Sequence, residues 1–349
     1  MTAQPPPEQP RPALDSPLIV AAVVSVALVA VAVLGGVGIS RIARATPAPS
    51  RSPTPTPFVR ISPTEPPDTG PLVFTQPLSA GCAAGDSVYV VSDGGGIGRF
   101  AFDRWQLIDP IARSLSAALC RGDQLTAVGG GGRVITIDDL QQTIRSDAVQ
   151  VEDFLGLSPL ADGMLVVGRA GTVERQNAGG WGLYASGIDE DLYAIAAFSP
   201  TSAWAVGDGG VTYRLEPAGW RPVDGGVTAT LRAIAARAVD DAVVVGDGAT
   251  VLVWDGAWKS LDPPVHVGFH AALPAGEGTY IAGDGGTLLL LSGTPASPTF
   301  TRIDLATTCT LRALFARGTE LWVVGSDGGH AAVWRISAGG AVFHWGQCP

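Results

Sequence analysis

Few residues in this chain combine the right type with the right spacing for chemistry. The four cysteines are Cys82, Cys120, Cys309 and Cys348. Cys82 and Cys120 lie 38 positions apart, and Cys309 and Cys348 lie 39 apart. Both intervals match one period of the repeat described below, so Cys309–Cys348 and Cys82–Cys120 are candidate disulfides. The alternative is buried free thiols acting as small apolar residues. No C-x-x-C pair occurs, which argues against a zinc site. The four histidines are His266, His270, His330 and His344. His266 and His270 are four apart, but on a strand that interval spreads them over about 13 Å rather than converging them on a metal. No metal or cofactor is expected.

Carboxylates recur in a pattern. Asp93, Asp208, Asp247 and Asp284 follow equivalent short apolar runs. Such turns should carry them to one face, where they could meet a cation or a basic partner. The plainer reading is that Asp tolerates left-handed turn geometry. Asp162, Asp189, Glu190 and Asp191 form further acidic loop clusters. Arg121, Arg232, Arg237, Arg312 and Arg317, with Tyr193, fall on or beside one class of strand. An arginine cluster with a tyrosine nucleophile would be the raw material of a sialidase site. Lys259 is the only lysine, which leaves little room for Schiff-base chemistry, and no G-x-x-x-x-G-K-[ST] or G-x-S-x-G motif is present.

The elements that position these residues follow from the composition. Gly (46) and Pro (27) make up about a fifth of the 349 residues, which opposes long helices and demands frequent turns. One unit recurs seven times: an apolar run, a Gly-containing turn, then a second apolar run. Ala203-Trp-Ala-Val-Gly-Asp-Gly-Gly is the clearest copy. The turn-opening positions are Ser92, Gly129, Gly168, Gly207, Gly246, Gly283 and Gly325, spaced by 37 to 42 residues. The residue before each is Val91, Val128, Val167, Val206, Val245, Ala282 or Val324, always apolar and therefore expected in the core. The Asp-Gly pairs at 208–209, 247–248 and 284–285 are the dipeptide of type I′ hairpins, which need two residues with φ > 0. Ala-rich runs such as Leu231-Arg-Ala-Ile-Ala-Ala suit a crowded innermost strand. Trp105, Trp181, Trp220 and Trp258, with Phe300 and Trp345, mark a fourth strand. Seven four-stranded units fit an all-β, seven-bladed β-propeller over 71–349, expected to be monomeric.

The turn pattern around Trp204-Ala-Val-Gly-Asp-Gly-Gly, with Trp220 about a dozen residues on, resembles bacterial neuraminidase repeat (BNR-type) propellers. Within these it is most similar to the photosystem II stability/assembly-factor branch. The resemblance implies a propeller. It also implies either sialidase-type glycoside hydrolysis or an assembly role for a membrane complex. No intact Ser-x-Asp-x-Gly-x-Thr-Trp box occurs in the chain.

The N-terminal part reads differently. Residues 1–17 form a polar, Pro-rich tail. Residues 18–39 are an uninterrupted apolar stretch, long enough at about 1.5 Å per residue to cross a hydrocarbon core of about 30 Å as a transmembrane helix. Residues 40–70 form a disordered Pro/Thr/Ser-rich linker. Arg41, Arg44 and Arg51 after the apolar stretch favour a cytoplasmic propeller, whereas the stalk and the cysteines favour an oxidising side. The reading adopted is a single-pass protein of a bacterial-type cell membrane with an extracytoplasmic propeller. The formal net charge of −10 disfavours nucleic acid, whose binding relies on Lys and Arg. The function expected is a membrane-anchored, non-catalytic platform for a protein or glycan at the loop face bearing the Asp turns.

Overall fold

The computed structural model describes residues 58–60, 63–64, 74, 76–108, 114–138, 143–148, 152–184 and 186–348. The expected transmembrane segment 18–39 and tail 1–17 lie outside the described residues. Among the described residues, no helix is long and apolar enough to cross a membrane.

Seven antiparallel sheets follow one another along the chain, each built from four consecutive strands. Blade 1 spans 78–108, blade 2 spans 115–148, blade 3 spans 154–183 and blade 4 spans 192–222. Blade 5 spans 231–261, blade 6 spans 269–304 and blade 7 spans 310–346. Each innermost strand contacts that of the next blade, and the innermost strand of blade 7 contacts that of blade 1, so the ring closes. The apolar residue before each turn is fully buried, as at Val91, Val167, Val206 and Val324.

The turn glycine has a steric reason. A Cβ on Gly207 would lie 1.9 Å from the carbonyl oxygen of Asp191, where the second strand of blade 4 ends against the start of the first. The type I′ expectation needs a correction of one residue. The positive-φ pairs are Gly209–Gly210, Gly248–Ala249 and Gly285–Gly286, and the aspartates precede them with ordinary φ. Val211 N–H donates to the Asp208 carbonyl at 3.2 Å, closing the turn around the two glycines. Gly210, at φ +76°, has no room for a Cβ, which would meet the Val227 carbonyl at 2.1 Å. Asp208, Asp247 and Asp284 are therefore not held there by left-handed geometry. They stand at the turn's first position, with carboxylates aimed at neighbouring strands.

Blades 1 and 7 each take their four main strands from one continuous stretch, and side-chain packing fills the seam between them. Phe100 of blade 1 lies 5.6 Å from Trp322 and 5.0 Å from Trp345 of blade 7, ring centre to ring centre. Trp322 stacks on Trp345 with an interplanar angle of 2° and is fully buried. Phe74 joins the same cluster. Two disulfides, Cys82–Cys120 and Cys309–Cys348, are present. The first joins the innermost strands of blades 1 and 2. The second ties the chain's end to the link entering blade 7.

Two short segments inside the stretch read as linker have β pairing. Phe58–Arg60 runs parallel to the outer strand of blade 6, with Val59 opposite Ile303. Pro63–Thr64 runs parallel to the outer strand of blade 7, with Thr64 opposite Phe343. These outer strands offer unpaired backbone groups that an extended Pro/Thr-rich chain can satisfy, so the folded unit begins before residue 71.

Candidate functional site: one mouth of the central channel

Every innermost strand carries a β-bulge at the same place. The register shifts fall at Leu78/Ala80, Leu115/Ala117, Phe154/Gly156, Leu192/Ala194, Leu231/Ala233, Phe269/Ala271 and Leu311/Ala313. A bulge leaves one residue outside the ladder and re-aims its side chain. The seven bulged residues are Ser79, Ser116, Leu155, Tyr193, Arg232, His270 and Arg312. They encircle the channel mouth where the innermost strands begin. Blades 1 to 3 supply two hydroxyls and a leucine, while blades 4 to 7 supply an aromatic and three nitrogen bases.

The turn aspartates sit at this same mouth and engage the bulged residues. Arg232 donates to both oxygens of Asp247, at 3.0 and 2.7 Å, and its guanidinium lies 4.8 Å from the centre of the Tyr193 ring. His270 Nε2 lies 2.8 Å from Asp284 Oδ1. Arg312 Nε donates to Ser326 Oγ at 2.8 Å, the serine of blade 7 occupying the position of the turn aspartates. The turns also reach the following blade: Thr230 Oγ1 donates to Asp208 at 3.0 Å and Thr310 Oγ1 to Asp284 at 3.1 Å. In blade 3 the sign inverts. Arg169 occupies the turn and bonds Asp153 at 3.1 Å and Asp191 at 2.8 Å. At Asp208 and Asp284 the turn carboxylate is thus a bridge to the following blade, and at Asp247 a clamp on the bulged arginine of its own blade.

Asp93 differs from the other three. Its carboxyl makes no hydrogen bond among the described residues. Burial in the mouth pushes it above the usual carboxylate range, against the opposing pull of Arg312 across the seam. For Asp284, burial acts upward, but the His270 bond and charge outweigh it and hold the carboxyl below its ordinary value. Burial, with Asp208 adding to it, pushes the Tyr193 hydroxyl up, the reverse of what a phenolate nucleophile needs.

The five arginines grouped by the sequence do not converge. Arg232 and Arg312 stand at the bulged mouth, whereas Arg121, Arg237 and Arg317 end their strands at the other, about 16 Å away at a strand's rise per residue. Those three are staples between blades. Arg121 donates to the Leu160 carbonyl of blade 3, and Arg237 to the Gly276 and Gly278 carbonyls of blade 6. Arg317 donates to the Asp86 carbonyl of blade 1 at 3.0 Å, across the seam. Guanidiniums spent on backbone carbonyls at the far mouth cannot complete a sialidase-type cluster. The loop acids are likewise engaged: Asp162 with Arg175 at 2.8 Å, and Glu190 with the Tyr213 hydroxyl at 3.0 Å. His344 stacks on Trp334, and burial lowers its pKa. Among the described residues, no group of three His, Cys, Asp or Glu is placed to hold a metal ion.

Sequence reasoning passed over Glu174, on the third strand of blade 3. It is buried at 5% exposure with no hydrogen-bond or ion-pair partner among the described residues, and burial raises its pKa. A carboxyl whose folded pKa is raised destabilises the fold while ionised, and the penalty lifts as pH falls through that raised value. Glu174→Gln is therefore expected to raise the melting temperature at pH 8, with the gain shrinking toward pH 4. Thermal melts of both proteins across that range check it.

No protein-family model and no curated protein matches the chain. Solved structures do match it in fold. The chain is similar to the WD40 repeats of RRP9, with a TM-score of 0.60 at 11% identity over 71% of this chain and 87% of that one. It is equally similar to U3-55K, with a TM-score of 0.60 at 10% identity over 71% and 88% of the two chains. These similarities support the seven-bladed propeller and do not distinguish its neuraminidase-repeat branch from others.

Proposed function

We propose that this protein is a non-catalytic interaction scaffold, held to a membrane through residues 18–39, that recognises a protein partner at the bulged mouth of its channel. The observation carrying this reading is the bulge itself. Seven equivalent backbone irregularities present seven side chains that are mostly dissimilar, on a framework whose other positions repeat. A scaffold that repeats its core and varies one exposed ring is built for recognition. The solved propellers of similar fold are WD40 repeats, a fold compatible with that role. The apolar stretch 18–39 and the two disulfides favour an extracytoplasmic propeller.

The partner surface centres on Arg312 and His270, with Asp93 and Asp208 beside them. Arg312 is exposed and its terminal nitrogens have no acceptor among the described residues. Arg312→Glu and Asp208→Lys are each expected to weaken a co-purifying partner's binding to the full chain at least tenfold, the size of a single interface hot spot. Titration of that partner against the three proteins is the measurement. Unchanged affinity in both variants would place recognition elsewhere. Hydrolysis of a fluorogenic glycoside by wild-type protein, lost in Tyr193→Phe, would replace the scaffold reading with an enzyme.

A further inference from the structure

A second site, away from the mouth, opens between blades 2 and 3. In six blades the residue three before the turn opener packs against the next blade: Tyr89, Leu165, Trp204, Val243, Tyr280 and Trp322. Blade 2 has Thr126 there. Beside it lies a cleft with about 310 Å³ of water-accessible space, within the range of roughly 300–1,000 Å³ usual for small-ligand sites. Arg121, Gln124, Thr126 and Thr136 of blade 2 face Gln176 and Trp181 of blade 3 across it.

The lining is mixed, with Leu119, Val134 and Met164 beside the polar groups. Thr126 is only 6% exposed, borders the cleft, and its hydroxyl makes no hydrogen bond among the described residues. Gln124, which is exposed, and Thr136 and Gln176, which are half-buried, likewise have no side-chain partner among the described residues. Arg121 is fixed by its bond to the Leu160 carbonyl. Glu174, two residues from Gln176 on the same strand face, adds a second buried and unpartnered polar group to this interface. The amides and hydroxyls that border the cleft are therefore open to a ligand that donates and accepts in return.

We propose that this cleft binds a neutral sugar ring. Amides and hydroxyls both donate and accept, as sugar hydroxyls do. Trp181 supplies an aromatic wall for the apolar face of the ring. An apolar peptide side chain would have to settle on the Thr126 hydroxyl, and the one charged side chain lining the cleft, Arg121, is already directed to the Leu160 carbonyl. This inference is independent of the partner at the channel mouth.

Saturation-transfer NMR with the full chain tests it, using the methyl glycosides of glucose, galactose, mannose and N-acetylglucosamine, and in a second arm a glycopeptide bearing a neutral N-linked glycan. Transfer to a glycoside, lost in Thr126→Trp and weakened at least tenfold in Gln176→Ala, is the expected result. Thr126→Trp restores the side chain found in blades 4 and 7, so an unchanged melting curve identifies loss of binding rather than of fold. Signal from the glycopeptide alone, with the same dependence on Thr126, assigns the site to protein-borne glycans. No transfer in either arm, or transfer that survives Thr126→Trp, overturns the proposal.

Discussion

Truncating Trp322 to alanine is expected to cost about 3–5 kcal/mol, the range for removing a large buried aromatic side chain. Trp322 is fully buried and touches both sides of the seam, stacking on Trp345 and Phe315 within blade 7 and meeting Phe100 of blade 1. Each blade draws its four main strands from one continuous stretch, so the only strand pairing at the seam among the described residues is that of Pro63–Thr64 with the outer strand of blade 7. Loss of this indole leaves that short pairing, Arg317 and the remaining aromatic contacts to close the ring. Denaturant unfolding gives the magnitude. Hydrogen exchange locates it: amides of Leu78–Ala84 should lose protection in Trp322→Ala and keep it in Trp204→Ala, whose indole is equally buried but lies between blades 4 and 5. Equal protection in the two variants would show that the seam is held by something other than this cluster.

Removal of the Cys309–Cys348 bond should be of similar size. A loop of 39 residues closed by a disulfide restricts the unfolded chain by about 4 kcal/mol in the loop-entropy description. The paired substitution Cys309→Ser with Cys348→Ser is accordingly expected to lower the melting temperature by roughly 8–16 °C. Wild-type protein in reductant should approach that value and fall beyond it once Cys82–Cys120 is also opened. Melting curves indifferent to reductant would mean that the thiols are free, and would remove one support for an oxidising compartment.

Much of the scaffold was legible because its physics is local and repeated. The valine before each turn announces the core by recurring, and the glycine after it by steric need. The aspartates were recognised as a set, but their reason was not. A dipeptide cannot reveal which of two adjacent residues takes the positive φ, and at Asp208 the one-residue difference separates a tolerated turn residue from a bridge to Thr230. The arginines show a second limit. Arg232 and Arg237 are five apart on one strand, and only the strand's length sends one to each mouth. The cleft between blades 2 and 3 did leave a trace, a threonine in a column of otherwise aliphatic or aromatic side chains, visible once the seven copies are aligned. Pairing of Phe58–Arg60 and Pro63–Thr64 with blades 6 and 7 left none, because a short edge strand joined through backbone hydrogen bonds places little demand on sequence.

The recurrent bulge has a consequence for how such a molecule could diversify. A residue excluded from the ladder is not bound by strand pairing, so its identity can change together with the turn residue it engages, as between His270–Asp284 and Arg312–Ser326. Duplicating a blade copies the framework and sets one variable position at the channel mouth. Seven such positions amount to a combinatorial surface whose specificity could be rewritten one blade at a time.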